Sequence, residues 1–352
     1  MMIKQMHLLK QFVSFFFSLI LLVLTGLANA AEDIDIAIPD DLDALLEAES
    51  VPSKHIIDGY LKHETAYRFD EPRSFTKIRN TVSINWRYIL GPGIKLYTSG
   101  WAYYDLVYDL FDYDTIAARN VRNKKEPLVF IDQLKKEKDD RAVELREMYL
   151  DMYFDNLDIR VGKQRVIWGV LEGIRIVDEI NPMDFKELIT PELLDYRVPL
   201  WTLKVDYYFK ETNYELLWIP ELKFHQSAPA GSEWELFQVL PSTTKPQNFN
   251  PKFSEFGFRV ARDVFDAELS LSYFYTWDDY PTTFRVISVD ELQGTQPTQN
   301  LAIFPTYSRM HMFGSTFTKE IRGDILKAEF AFVTGKYFAI VDKYTNGFLD
   351  DD

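Results

Sequence analysis

Between Thr76 and Tyr88 the chain alternates residue by residue. Ile78, Val82, Ile84, Trp86 and Tyr88 share one parity, with Asn80 as a polar exception. Lys77, Arg79, Thr81, Ser83, Asn85 and Arg87 share the other. A β-strand sends successive side chains to opposite faces, so this stretch is predicted as a strand with one apolar and one strongly polar face. The pattern returns along the chain. Leu61, Thr65, Tyr67 and Phe69 oppose Asp58, Lys62, Glu64 and Arg68; Trp201, Leu203, Val205, Tyr207 and Phe209 oppose Thr202, Lys204, Asp206 and Tyr208. Ala267 to Trp277 and Leu326 to Phe332 repeat it. The predicted strands are 57–69, 75–90, 94–109, 141–155, 157–168, 200–209, 214–219, 254–262, 265–277, 307–319 and 324–333.

Alternation alone is common to soluble sandwiches and membrane barrels. Connection lengths separate the two. Tight turns are predicted at Gly91-Pro92-Gly93, Asn156, Lys210 to Asn213, Asp263-Val264 and Glu320 to Gly323. Long segments fall between them, at Leu110 to Asp140, Gly169 to Pro199, Pro220 to Phe253 and Asp278 to Thr306. Turns on one side and long loops on the other are the layout of an all-β, transmembrane, antiparallel up-and-down β-barrel, with short periplasmic turns and long extracellular loops. Phe69, Trp86, Tyr88, Trp201, Phe209 and Trp277 end strands on the apolar parity, as an interfacial girdle requires. Bacterial single-chain barrels have an even strand number, so the eleven predicted here imply a barrel incomplete at the C-terminus. A short twelfth strand over Tyr337 to Lys343 is the alternative.

The one long apolar run is N-terminal. Lys4 and Lys10 precede Phe12 to Leu24, and Ala28-Asn29-Ala30 closes it as an A-x-A site. Residues 1–30 are therefore expected to be a cleaved signal peptide, with cleavage after Ala30. Residues 31–56 form an N-terminal periplasmic or lumenal segment, in which Leu42, Leu45 and Leu46 are spaced as a short helix face. Residues 57–352 form the outer-membrane barrel, in part.

Composition narrows the function. Phe, Tyr and Trp make up 15% of the 352 residues, cysteine is absent, and the net charge is −15. A disulfide scaffold, a thiol nucleophile and a zinc ribbon are excluded. The acidity argues against nucleic acid as a partner.

The most distinctive text is Gly162-Lys163-Gln164-Arg165-Val166-Ile167-Trp168-Gly169, then Ile180-Asn181-Pro182-Met183-Asp184, then Tyr196-Arg197-Val198-Pro199. Here the chain resembles a group of Gram-negative outer-membrane proteins known as domain-of-unknown-function family 1302. In that group a strand ending G-[RK]-Q-x-x-x-W-G precedes an I-N-P-x-D segment and a Pro-bounded return strand. The resemblance is clear over Leu145 to Phe209. It implies an outer-membrane barrel, some relatives of which sit in gene neighbourhoods that suggest traffic in hydrophobic compounds.

The loop after the fifth strand carries Ile174, Ile176, Val177, Ile180, Met183 and Phe185, too many apolar groups to leave wet. Folded inward, it would place Asp178, Asp184, Glu187, Glu192 and Asp195 opposite a basic ladder of Lys77, Arg79, Arg87 and Lys95. Opposed charged walls orient and filter solutes at a constriction. The alternative is a structural cap whose carboxylates pair with Arg165, Arg175 and Arg197. Both stay open here.

Other chemistry is weaker. Asp105, Asp109, Asp112 and Asp114 lack the glycine and closing Glu of a calcium loop. His63 lies on the apolar parity while Ser83 lies on the lumenal one, so no nucleophile–base pair forms. His311 and Ser315 share a face but stand about 13 Å apart. The expectation is a non-enzymatic outer-membrane channel or facilitator for a small solute, hydrophobic or anionic, without cofactor or metal. Its partners would be outer-membrane lipid, the solute and the barrel-assembly machinery. A plugged barrel serving as a structural or partner-binding scaffold is the alternative.

Overall fold

The computed structural model describes residues 54–69, 73–106, 110, 141–187, 193–227, 243–290, 298–338, 340–342 and 347–349. Alternating residues pair into long antiparallel strands: β1 (His55–Arg68), β2 (Ser74–Gly91), β3 (Ile94–Asp105), β4 (Arg141–Tyr153), β5 (Leu157–Gln164), β6 (Leu200–Phe209), β7 (Thr212–Ile219), β8 (Glu255–Val264) and β9 (Ala267–Trp277). β10 (Thr282–Asp290) and β11 (Thr298–Thr306) form a ribbon of their own. β12 (Arg309–Ile321) then pairs with β9, and β13 (Asp324–Thr334) completes an eleven-stranded up-and-down sheet. Among the described residues β1 and β13 are its edges. One helical turn, α1 (Leu193–Tyr196), precedes β6.

Register puts the parities where the sequence predicts. Arg79 faces Glu64 on one side and Asp105 on the other, while Ile84 stands between Gly59 and Gly100. Lys77, Arg79, Thr81 and Ser83 are buried, yet Ile84 is 56% and Leu271 69% exposed, and Phe330 62%. A sheet that encloses its charges and exposes its large apolar residues is inside out for water and suited to hydrocarbon. Near the tight-turn end, Ile94, Leu150 and Val161 pack with Leu96, Met152 and Leu203. The larger buried cluster lies on the inner face. There Val166, Trp168, Val177 and Ile180 of the long loop meet Leu217 and Ile219 of β7, Phe274 of β9 and Met312 of β12. Each such side chain contributes about 1.5–3 kcal/mol when fully buried.

Four expectations change. β5 stops at Gln164 rather than 168, because Val166 and Trp168 leave the ladder to enter the inner cluster. The turn after β8 is Phe265-Asp266, both at positive φ (52° and 59°), rather than Asp263-Val264. The segment 278–306 holds the β10–β11 ribbon, whose Val286, Ile287 and Val289 favour extension. The proposed twelfth strand does not join the sheet: Ile340–Asp342 (β14) pairs with Gly347–Leu349 (β15). Residues 1–53, and with them the signal peptide and the helix face at Leu42, lie outside the described residues. So do Asp109, Asp112, Asp114 and Glu192.

Candidate functional site

The site is built where residues 165–199 turn back onto the inner face. Two glycines let the loop come close. A Cβ on Gly257 of β8 would lie 2.7 Å from Trp168, and one on Gly314 of β12 would lie 2.9 Å from Val177. The Trp168 indole N–H donates to Glu215 of β7 at 2.7 Å.

The motif residues hold the loop in shape. Asn181 accepts the Val166 amide at 2.8 Å and donates to the Val198 carbonyl at 2.9 Å, tying both ends of the loop to its middle. Gln164 donates to the Thr202 carbonyl at 3.0 Å. Glu147, opposite, takes the Arg165 amide at 3.0 Å and its guanidinium at 2.6 Å. Asp178 accepts the Arg197 guanidinium, and Arg175 donates to the Asp178 and Asn181 carbonyls. The far side is secured by β13. The Glu329 carboxylate accepts three loop amides, Val170 at 2.5 Å, Leu171 at 2.8 Å and Val177 at 3.0 Å.

At the other end of the loop, acid meets base. Glu187 accepts Lys77 at 2.5 Å and Arg79 at 2.6 Å, with all three side chains buried. Arg79 also reaches Asp105 at 3.2 Å and lies over the Tyr103 ring. Asp105 takes the Ile78 amide at 2.9 Å, so it serves the sheet. Opposite Ser99 and Gly100 of β3, a bulge in β4 leaves Arg146 as the extra, unpaired residue of the ladder. Arg146 lies over Trp101 and donates to the Asp195 carbonyl at 3.1 Å. Beside these contacts lies a small pocket, about 20 Å³, whose lining includes Tyr60, Lys62, Glu64, Trp101 and Glu187.

The candidate residues thus divide. Lys77, Arg79 and Glu187 come together, and Asp195 stands 3.9 Å from Arg146. Asp178 and Arg197 pair within the loop, Arg165 pairs with Glu147, and Asp184 accepts the Lys186 amide at 3.0 Å. Arg87 binds Asp58 at 2.8 Å, and Lys95 lies over the Tyr153 ring, both away from the loop. His63 and His311 sit on the outer face, bonded to Asn80 and Tyr273.

A third anchor was not visible in the sequence. His225, after β7, accepts the Met183 amide at Nδ1 (2.8 Å), and Gln226 donates its amide to the Met183 carbonyl at 2.9 Å. Burial holds the His225 imidazole down at about 3, helped by Arg175 and Lys336, so it is neutral. Burial likewise raises Glu179 and pushes Asp279 well up, where Glu255 and Glu179 add to it. Burial also raises the Tyr196 phenol.

An up-and-down antiparallel sheet with an enclosed polar face, an exposed apolar face and a loop docked inside defines an outer-membrane β-barrel fold. The chain belongs to the family described as protein of unknown function (DUF1302), whose model matches residues 58–348. No curated protein matches it. Among solved structures it is similar to OccAB3 of Acinetobacter baumannii, at TM-score 0.34 and 8% identity over 80% of this chain and 66% of that one. It is also similar to OccK8 (OprE) of Pseudomonas aeruginosa, at 0.32 and 8% over 76% and 53%. A third is the loop-deleted OmpT of Vibrio cholerae, at 0.28 and 12% over 80% and 82%. The chain spans less than two thirds of the length of the first two. Likeness this low says nothing about a solute.

Proposed function

We propose that this protein is a porin-like channel of the outer membrane, passing a small solute by diffusion beside an inward loop. In this reading residues 1–30 direct export, residues 57–352 are the membrane-embedded part, and residues 169–199 narrow the lumen. The observation that carries it is the docking of the loop on the charged inner face, where Glu187 joins Lys77 and Arg79 beside a small polar pocket. Glu187 pairs directly with Lys77 and Arg79, so the junction fastens the loop to β2, and the polar groups lining the adjoining pocket, Lys62 and Glu64 among them, would sort solutes by charge and dipole. The partners are then lipid on the outer face and a small hydrophobic or anionic solute on the inner one.

A second reading has its own support. The apolar cluster of Trp168, Val177, Ile180, Leu217, Phe274 and Met312 fills inner-face space, as a permanent plug would. The protein would then be a scaffold. Planar-bilayer recording on the full chain distinguishes the two. Ohmic steps that enlarge when Val177 to Asp195 are deleted support the channel. Silence from a folded, inserted protein, with and without the deletion, supports the scaffold and overturns the channel.

A further inference from the structure

Away from Glu187, three ligating side chains converge from three separate segments. Glu179 comes from the inward loop, His225 from the stretch after β7 and Asp279 from the end of β9. One ligand atom from each lies within 4.8 Å of the others. His225 Nδ1 stands 3.6 Å from Asp279 Oδ2, with side chains 7% and 12% exposed. Among the described residues no N–H or O–H bonds to the Asp279 side chain, and the nearby cations are shared with other groups. Arg175 reaches Glu179 at 3.9 Å while bonding two carbonyls, and Lys336 pairs with Asp278 at 3.4 Å.

We propose that Glu179, His225 and Asp279 form a binding site for a divalent transition-metal ion, zinc being the natural probe. A bound dication displaces the protons that burial favours on the carboxyls, so the two carboxylates and the imidazole then supply two negative charges and one nitrogen, a set that the ion neutralises. The 3.6 Å between Nδ1 and Oδ2 is close to the roughly 3.4 Å expected of two tetrahedral ligands each about 2.1 Å from zinc. The nitrogen selects zinc, nickel or copper over magnesium and calcium, which favour oxygen alone. Glu179 is 34% exposed and gives the ion a way in.

The site is wired to the inward loop. The Nδ1 lone pair now accepts the Met183 amide, and one lone pair cannot serve two acids. A bound ion therefore takes it from Met183 and releases one of the two bonds joining that residue to His225 and Gln226. Occupancy is registered as a looser anchor in the loop, whatever solute the lumen passes.

Calorimetric titration of the folded full chain in detergent with zinc alone tests this. One zinc per chain is expected, with magnesium far weaker. Asp279→Asn and Glu179→Gln should each weaken zinc by about tenfold or more, His225→Gln should abolish it, and His311→Gln on the outer face should change nothing. Should His225→Gln fail to fold for want of its Met183 bond, the two carboxylate variants decide the matter alone. A folded wild-type chain that takes up no stoichiometric zinc, or Asp279→Asn binding as the wild type does, overturns the site. Zinc should also speed exchange of the Met183 amide; unchanged protection in the zinc-loaded protein overturns coordination through Nδ1.

Discussion

Trp168 lies directly over Gly257, so close that a methyl carbon on Gly257 would stand 2.7 Å from the indole Cη2. The ring is 1% exposed and cannot step aside without unpacking Val177 and Phe274. Gly257→Ala is therefore expected to cost about 1–3 kcal/mol through overpacking. Gly91→Ala, where nothing lies within 4 Å, should be nearly neutral. Urea or heat unfolding followed on cold SDS gels compares the two. Equal midpoints would show that the indole does not dock on Gly257.

Glu329 is expected to hold the loop rather than the barrel. Glu329→Gln removes the charge that three amides share and should loosen the loop by about 1.5–3 kcal/mol. The sheet keeps its ladder. Limited proteolysis should open a cut between Gly169 and Val177 while the sheet stays protected. A loop as resistant as the wild type's would count against the latch.

Arg79 and Arg87 should part company. Arg79 is buried between Glu187 and Asp105, so Arg79→Glu leaves buried carboxylates unpaired and should cost about 3–5 kcal/mol. Arg87 is half exposed beside Asp58. Arg87→Glu should fold normally and shift ion selectivity towards cations. Reversal-potential measurements on both variants, beside their unfolding midpoints, check the pair; a stable Arg79→Glu protein would contradict the Glu187 junction.

Ile84→Arg should be costly for a different reason. Its side chain is 56% exposed on the apolar face, and a charge there near the bilayer midplane costs about 2–4 kcal/mol. Thr81→Lys on the opposite parity should insert and fold with less loss. Folding yields into lipid vesicles rank the two, and the reverse ranking would invert the faces.

Strands and their faces were legible because the side-chain period of two is written locally, as in Lys77 to Tyr88. The inward course of the loop was legible from the surplus of apolar residues around Val177 and Ile180. Its fastenings were not. Glu329 stands more than 150 residues from the amides it binds, and nothing local distinguishes it from any lumenal carboxylate. His225 likewise looks like one histidine in a long connection until Met183 is folded against it. Arg87 and Lys95 share the parity of Lys77, yet parity carries no information on height along the strand, and they sit at the far end.

The latch on Glu329 also bears on the order in which the molecule is made. Val170, Leu171 and Val177 follow the fifth strand of the sheet, but their acceptor arrives with the eleventh, 152 to 159 residues later. Contacts that span so much chain form late, since the intervening segments must first be placed. Until then those amides stay wet, although β8 has already brought Gly257 to Trp168. Assembly is therefore expected to leave the loop unlatched on its far side, its three amides capped in a closing step once β13 is in place.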